Sequence, residues 1–267
     1  MEYHVIDVFT DKLFGGNPAG VCLLKSWLPD NIMQSIAAEN NLSETAFMVK
    51  LGDGHYHLRW FTPSVEVDLC GHATMASAFV LFDDTEKDAR ELKFETMSGL
   101  LSVTQEDGLL HLNLPSPALE ECTVYPVFEK ALGVRPAAVF KSIDFLVLVD
   151  SEETLRGIVP DFAVMRHIED EIGPGYDCLG IVVTAPGNDC DFVSRYFAPA
   201  AGVDEDPVTG RAHCSLTPFW SKRLGRKVMS ARQISARGGV LRCEDCGPRV
   251  KIGGKAVRYL KGELNID

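Results

Sequence analysis

An internal repeat restricts the fold of this chain more than any other feature. Leu58-Arg59-Trp60-Phe61-Thr62-Pro63 aligns with Ser194-Arg195-Tyr196-Phe197-Ala198-Pro199, keeping arginine, an aromatic residue, phenylalanine and proline in register. Each copy continues through an acidic loop to a glycine that opens a helix-like run. Gly71 opens the run His72 to Phe82, and Gly210 opens Arg211 to Trp220, after a loop three residues longer. A strand-like segment entered through glycine follows each, Ser98 to Val103 and Gly238 to Cys243. Self-similarity of this kind means one architecture built twice. A length of 267 residues accommodates two such halves.

Each half reads as strand-rich. Val5 to Phe9, Val21 to Leu24, Thr45 to Val49, His57 to Phe61, Leu109 to Leu114, Phe145 to Val149, Gly180 to Ala185 and Phe192 to Tyr196 carry alternating or continuous apolar runs. Gly15 to Gly20 is expected to form a turn before its strand. Asp30 is expected to cap a helix whose apolar positions Ile32, Met33, Ile36 and Ala37 follow helical spacing. The run from Gly71 is apolar nearly all round, so it must be buried on every side, and strands wrapped about it would do so. Pro218 inside the second run is expected to kink that helix or shift its ends. The prolines of Leu114-Pro115-Ser116-Pro117 suit a linker, giving halves 1–117 and 118–267, with the extreme C-terminal strand assignable to the first half.

A formal charge of −12 and the absence of any dense Lys/Arg cluster beyond Lys222, Arg223, Arg226 and Lys227 argue against nucleic acid. No window reaches the ~18 apolar residues of a membrane span, and no leader-like pattern is seen, so a cytoplasmic protein is expected. Eight scattered cysteines fit reduced thiols. Cys243 and Cys246 form a lone CxxC with no second ligand pair, and are read as two ordinary thiols flanking a turn at Glu244-Asp245.

Matching helix starts suggest where chemistry could sit, because each presents unpaired N–H groups and a partial positive charge suited to an anionic substrate. Gly71-His72 and Thr209-Gly210 are those starts, and glycine there serves either close approach to a ligand or a tight turn. Asp206-Pro207 reads first as an N-cap followed by proline at the first helical position; the functional reading is a carboxylate able to hold an amine or relay a proton. Glu44 stands where polar residues give way to an apolar strand, a position that exposes a carboxylate unless the strand end faces a site. His72, at a helix start, is expected to be neutral. No metal cluster, Walker loop or dinucleotide fingerprint accompanies these residues, and the Gly15–Gly20 stretch has the wrong spacing for one.

Taken in order, Gly16-Asn17-Pro18-Ala19-Gly20-Val21, Leu42-Ser43-Glu44-Thr45-Ala46-Phe47, Arg59-Trp60-Phe61-Thr62-Pro63, Cys70-Gly71-His72-Ala73-Thr74 and the stretch from Arg195 through Asp206-Pro207-Val208-Thr209-Gly210 resemble the phenazine-biosynthesis F-type (PhzF-like) family. The resemblance implies an α/β (α+β) fold like that of diaminopimelate epimerase: two pseudo-symmetric halves, each a curved, mostly antiparallel sheet or barrel around a central helix, with the active site between them. It implies a cofactor-independent, metal-free isomerase, commonly a homodimer, acting on a small molecule. Glu44 would be the acid/base, His72 and Asp206 its catalytic companions, and Ser43, Gly71 and Gly210 substrate contacts. Arg211 departs from the small serine often found after Thr-Gly and is expected to touch substrate, pairing with a carboxylate, or to face solvent. Competing readings are an amino-acid epimerase using Cys70, for which Asp206 stands where a second cysteine would be needed, and a binding protein without chemistry.

Overall fold

In a computed structural model, which describes residues 1–173 and 178–266, the chain divides into two compact units. Met1–Leu114 with Lys251–Asp267 form the first and Pro115–Val250 the second.

In the first unit, β1 (Glu2–Val8) pairs antiparallel with β2 (Asn17–Leu24), and β2 lies parallel to β3 (Glu44–Gly52). A parallel neighbour requires a crossover, which α1 (Asp30–Asn40) supplies. Next, β4 (His55–Phe61) runs antiparallel to β3 and is flanked by the two-residue β5 (Glu66–Val67). The central helix α2 (Gly71–Asp84) then carries the chain to β6 (Glu91–Thr96), parallel to β4, and hairpins add β7 (Gly99–Glu106) and β8 (Leu109–Pro115). Alternation places Leu92 and Phe94 of β6 inward while their neighbours stay exposed or partly so.

Helix α2 is buried all round, as its composition requires. Ala73, Met75, Ala76, Ala78 and Leu81 have no exposed surface, and the helix packs on β1, β2, β3 and β7. Three alanines keep it thin enough for strands to approach. Its two buried hydroxyls are satisfied internally: Thr74 Oγ1 donates to the Cys70 carbonyl at 2.6 Å and Ser77 Oγ to that of Ala73 at 2.8 Å.

The second unit contains β9 (Glu120–Cys122), α3 (Pro126–Leu132), β10 (Ala138–Lys141), β11 (Phe145–Leu148), α4 (Glu152–Gly157), α5 (Phe162–Met165), α6 (Ile168–Ile172), β12 (Ile181–Pro186), β13 (Phe192–Ala198), β14 (Val203–Asp206), α7 (Gly210–Leu224), β15 (Val228–Gln233) and β16 (Gly239–Asp245). Strand β17 (Arg249–Gly254) leads back to the first unit, where β18 (Ala256–Glu263) pairs antiparallel with β1.

The duplication is complete at the level of topology. Along the first unit the pairings from β1 to β7 read antiparallel, parallel, antiparallel, antiparallel, parallel, antiparallel. From β10 to β16 the second unit repeats them in the same order. The repeated Arg-aromatic-Phe motif has a structural task in both. Arg59 on β4 forms a fork with Glu66 on β5, Nε–Oε1 2.6 Å and Nη2–Oε2 2.7 Å, and its guanidinium lies 5.2 Å over Phe61. Arg195 on β13 does the same with Glu205 on β14, at 2.8 and 2.9 Å, 4.9 Å over Phe197. Bidentate, charge-assisted bonds of this kind are geometrically specific. Each fork fastens the short strand that delivers the chain to its central helix.

Several local expectations are corrected. Asp30 is the first residue of α1 rather than its cap; Pro29 holds that position, and the Asp30 carboxylate accepts from Arg59 Nη1 at 2.9 Å. Strand β2 begins at Asn17, inside the stretch expected to be a turn, because Asn17 and Pro18 already pair with Val8 and Asp7. Helix α7 runs from Gly210 to Leu224 with Pro218 inside it, ending four residues past the expected run. Glu244 and Asp245 belong to β16, and the turn follows them, with Gly247 at φ 79° and its N–H donated to Asp245 Oδ1.

Candidate active site

Glu44 is the first residue of β3, and His72 lies in the first turn of α2. The fold brings Glu44 Oε2 to 3.2 Å from His72 Nε2, with the Glu44 side chain 20% exposed and that of His72 8%. The strand end thus faces a polar site rather than bulk solvent. Burial holds the His72 imidazole below the usual histidine range, opposed by the Glu44 charge and by a hydrogen bond with the Pro18 backbone. The ring is therefore neutral at physiological pH, the state expected from its sequence position. Desolvation is its leading cause, whereas the helix start is what sequence reasoning had to use.

The other ring nitrogen meets Asn17 Nδ2 at 3.4 Å and Cys70 Sγ at 3.6 Å. Ser43 Oγ donates to Asn17 Oδ1 at 3.4 Å, which turns the Asn17 amide nitrogen toward the histidine. An ionised Glu44 can only accept. Pro18 has no N–H, so its carbonyl can only accept from the ring, and the close approach of Glu44 Oε2 to His72 Nε2 is not itself a hydrogen bond. Asn17 is delivered by Gly16, whose φ of 63° and missing side chain are both needed, since a Cβ there would collide with the Val8 carbonyl. Gly71 has no such demand: a Cβ would sit 3.4 Å from a flexible Leu112 methyl.

In the second unit, Asp206 ends β14, four residues before the start of Gly210–Leu224, and does not cap that helix. Thr209 holds the N-cap position, and Asp206 Oδ2 accepts from its hydroxyl. Pairing of Asp206 with Tyr196 keeps it in a strand. Gln233 on β15 ties this turn together, donating to the Asp206 carbonyl at 2.7 Å while its Oε1 accepts from Thr209 N–H at 2.9 Å. His213, fully buried one turn into α7, stands 2.9 Å from the Thr209 carbonyl, and burial pushes its imidazole down to about 4.

Arg211 is partly buried and does not simply face solvent. Its Nη2 donates to Tyr196 Oη at 2.7 Å and lies 3.3 Å from Asp144 Oδ1; Tyr196 in turn donates to Asp144 at 2.9 Å. Asp144 is 3% exposed, and burial raises its carboxyl despite the neighbouring arginine. Gly180 makes room for this group, because a Cβ would lie 2.6 Å from the Tyr196 hydroxyl. In the repeat, Gly71-His72 corresponds to Gly210-Arg211, so Arg211 occupies in its unit the place His72 holds in the other.

The first unit thus gathers Ser43, Glu44, Gly71 and His72, and the second Asp206, Gly210 and Arg211. Asn17, Thr209, Gln233, Asp144 and Tyr196 were not singled out as site residues from sequence. Asn17, Tyr196 and Thr209 sit within recognisable motifs; Gln233 and Asp144 contact their partners through the folded sheet.

Residues 6–262 match the family model described as phenazine biosynthesis-like protein. An uncharacterised isomerase of Pseudomonas aeruginosa is 49% identical over 98% of this chain and 97% of its own length. The crystal structure of a phenazine biosynthesis protein of the PhzF family from Enterococcus faecalis superposes with a TM-score of 0.94, at 44% identity and 99% coverage of both chains. A probable proline racemase from Agrobacterium radiobacter, 11% identical with a TM-score of 0.63 over 100% of this chain and 93% of its own, shares the fold alone.

Proposed function

We propose, from the premise that the chain belongs to the phenazine biosynthesis-like protein family, that it is an isomerase moving a proton between two atoms of a small, anionic, conjugated substrate without a cofactor. Glu44 removes the proton and returns it. The observation that carries this reading is the 3.2 Å approach of Glu44 Oε2 to a buried, neutral His72. A neutral imidazole beside Glu44 avoids the strong ion pair with an imidazolium that would make the carboxylate a poorer base. Asn17 and Ser43 keep the ring oriented. The names of relatives such as the Pseudomonas aeruginosa protein support the reaction class.

In this reading Gly71 and Gly210 contact substrate at the two helix starts, Ser43 contacts it from the residue before β3, and Asp206 holds a polar substituent or relays a proton. Arg211 is anchored by Asp144 and Tyr196 through Nη2, which leaves Nε and Nη1 for a substrate carboxylate. The test is deuterium incorporation at carbon, followed by NMR in heavy water over a panel of small conjugated and amino carboxylic acids. Exchange is expected with the wild type and absent with Glu44→Gln; exchange undiminished in that variant overturns the assignment.

A second reading is favoured by one contact, the 3.6 Å separation of Cys70 Sγ and His72 Nδ1, which would serve an epimerase with Cys70 as a base. Loss of exchange in Cys70→Ala while Glu44→Gln retains it would select that alternative.

A further inference from the structure

Cys70 has no part in the proton transfer between Glu44 and substrate, yet it is 6% exposed and packed against the same imidazole. One ligand atom each from Glu44, Cys70 and His72 lies within 4.8 Å of the other two. Donors bound tetrahedrally at about 2.0–2.3 Å from one metal ion are about 3.3–3.6 Å apart. Each ring nitrogen has one partner donor near that size, Glu44 Oε2 at 3.2 Å from Nε2 and Cys70 Sγ at 3.6 Å from Nδ1, so whichever nitrogen binds, one separation is already met and the third donor must move in. Side-chain rotation of Cys70 or Glu44 covers the remainder.

We infer that Glu44, Cys70 and His72 form a binding site for a single zinc-class divalent ion, which inhibits this protein by occupying its acid/base pair. The inhibitory half rests on the function proposed above; the binding half does not. A thiolate, a carboxylate and an imidazole are the donors of borderline-soft metals, not of magnesium or calcium. Binding releases the Cys70 thiol proton to solvent, so thiolate and carboxylate together cancel the double positive charge of the ion, and the site is left with no net charge. The imidazole contributes a lone pair. Coordination through Nε2 leaves the ring proton on Nδ1, and coordination through Nδ1 displaces the Asn17 amide. Three protein ligands leave a fourth position open, as in sites that exchange their ion or bind a further ligand. A micromolar dissociation constant is expected, weaker than that of a closed four-cysteine site.

Among the described residues, the other cluster with suitable donors, Glu2, His4 and Asp84, is different. Lys261 Nζ lies 2.9 Å from Glu2 and 3.1 Å from Asp84, and Arg258 3.0 Å from Asp84, so cationic side chains already take the place of an ion.

The test is titration of the full chain with Co²⁺ in the presence of a phosphine reductant. One equivalent should bind with intense visible bands of tetrahedral cobalt and a near-ultraviolet thiolate-to-metal band, and Zn²⁺ should displace it. Cys70→Ser should abolish the thiolate band and weaken binding at least tenfold. Glu44→Gln, at a partly exposed position, should keep that band and also weaken binding at least tenfold. Cys246→Ser, which removes the exposed thiol of the CxxC pair, should change neither. No thiolate band in the wild type, its persistence in Cys70→Ser, or unchanged affinity in Glu44→Gln overturns the site. Stoichiometric zinc with undiminished deuterium exchange overturns the inhibition. Exchange retained by metal-free Glu44→Gln would refute the acid/base assignment, with the cobalt spectra still deciding the site.

Discussion

His213 makes the protein's stability depend on pH in a calculable way. An ordinary imidazole titrates at 6.5, whereas that of His213 is pushed down to about 4 by complete burial. The unfolded chain therefore takes up a proton at higher pH than the folded one, so stability is fully present above 6.5 and declines as pH falls toward 4. At ~1.4 kcal/mol per pH unit the full loss is about 3 kcal/mol, of which about 2 kcal/mol has gone by pH 5. His72 and His4 are also lowered by burial and add to the decline in the same direction. Between pH 8 and 5 the carboxylates held below their usual range, such as Glu86 and Glu152, stay ionised and do not confuse the measurement. Urea unfolding across that window should give a midpoint that falls steadily in the wild type. In His213→Gln, whose amide can still donate to the Thr209 carbonyl, the fall should be about 2 kcal/mol smaller. A flat wild-type profile, or the same slope in the variant, would refute the reasoning.

Other expectations follow from contacts already described. Glu205→Gln, which breaks the Arg195 fork at a site where both partners are mostly buried, should cost about 2 kcal/mol in chemical denaturation, and lysine at Arg195 should not restore it because a point charge cannot bridge two oxygens. Tyr196→Phe leaves Asp144 and Arg211 each short of one hydrogen bond and should cost about 1–3 kcal/mol, again read from denaturation midpoints. Asn17→Leu, which removes the group that orients His72, should slow deuterium exchange by about tenfold or more while Glu44 remains in place.

Much of the architecture was readable from the repeat because its residues perform the same physical task twice: Arg59 and Arg195 each bind a carboxylate on the next strand, and Phe61 and Phe197 each lie beneath the guanidinium. The glutamates themselves were obscured, since Glu66 and Glu205 fall at different distances from their arginines along loops of unequal length. Asp206-Pro207 looked like a helix opening because capping preferences are local, whereas the pairing of β14 with β13 is not. Glycine, asparagine and proline made residues 15–20 look like a turn, although neighbouring β1 draws Asn17 into the sheet. Asp144 reaches Arg211 across 67 positions of sequence, so no local pattern could have marked it. At the candidate site, the residues alone gave Glu44 only as an acid at a strand entrance. Its part as acid/base came from the family resemblance, and the contact with His72 came from the fold.

The pairing of β1 with β18, reinforced by the Met1 ammonium donating to the Leu264 carbonyl at 2.9 Å, bears on how the protein is made. During synthesis the second unit is translated in full before the ribosome delivers the strand that the first unit is missing. The half made first is therefore the half finished last. Until then β1 presents an unpaired edge open to other strands, so protection of that edge in the nascent chain, by a chaperone or by early folding of the second unit, should govern yield. Moving the segment after Val250 to precede Met1 by circular permutation would let the first unit close before the second is translated.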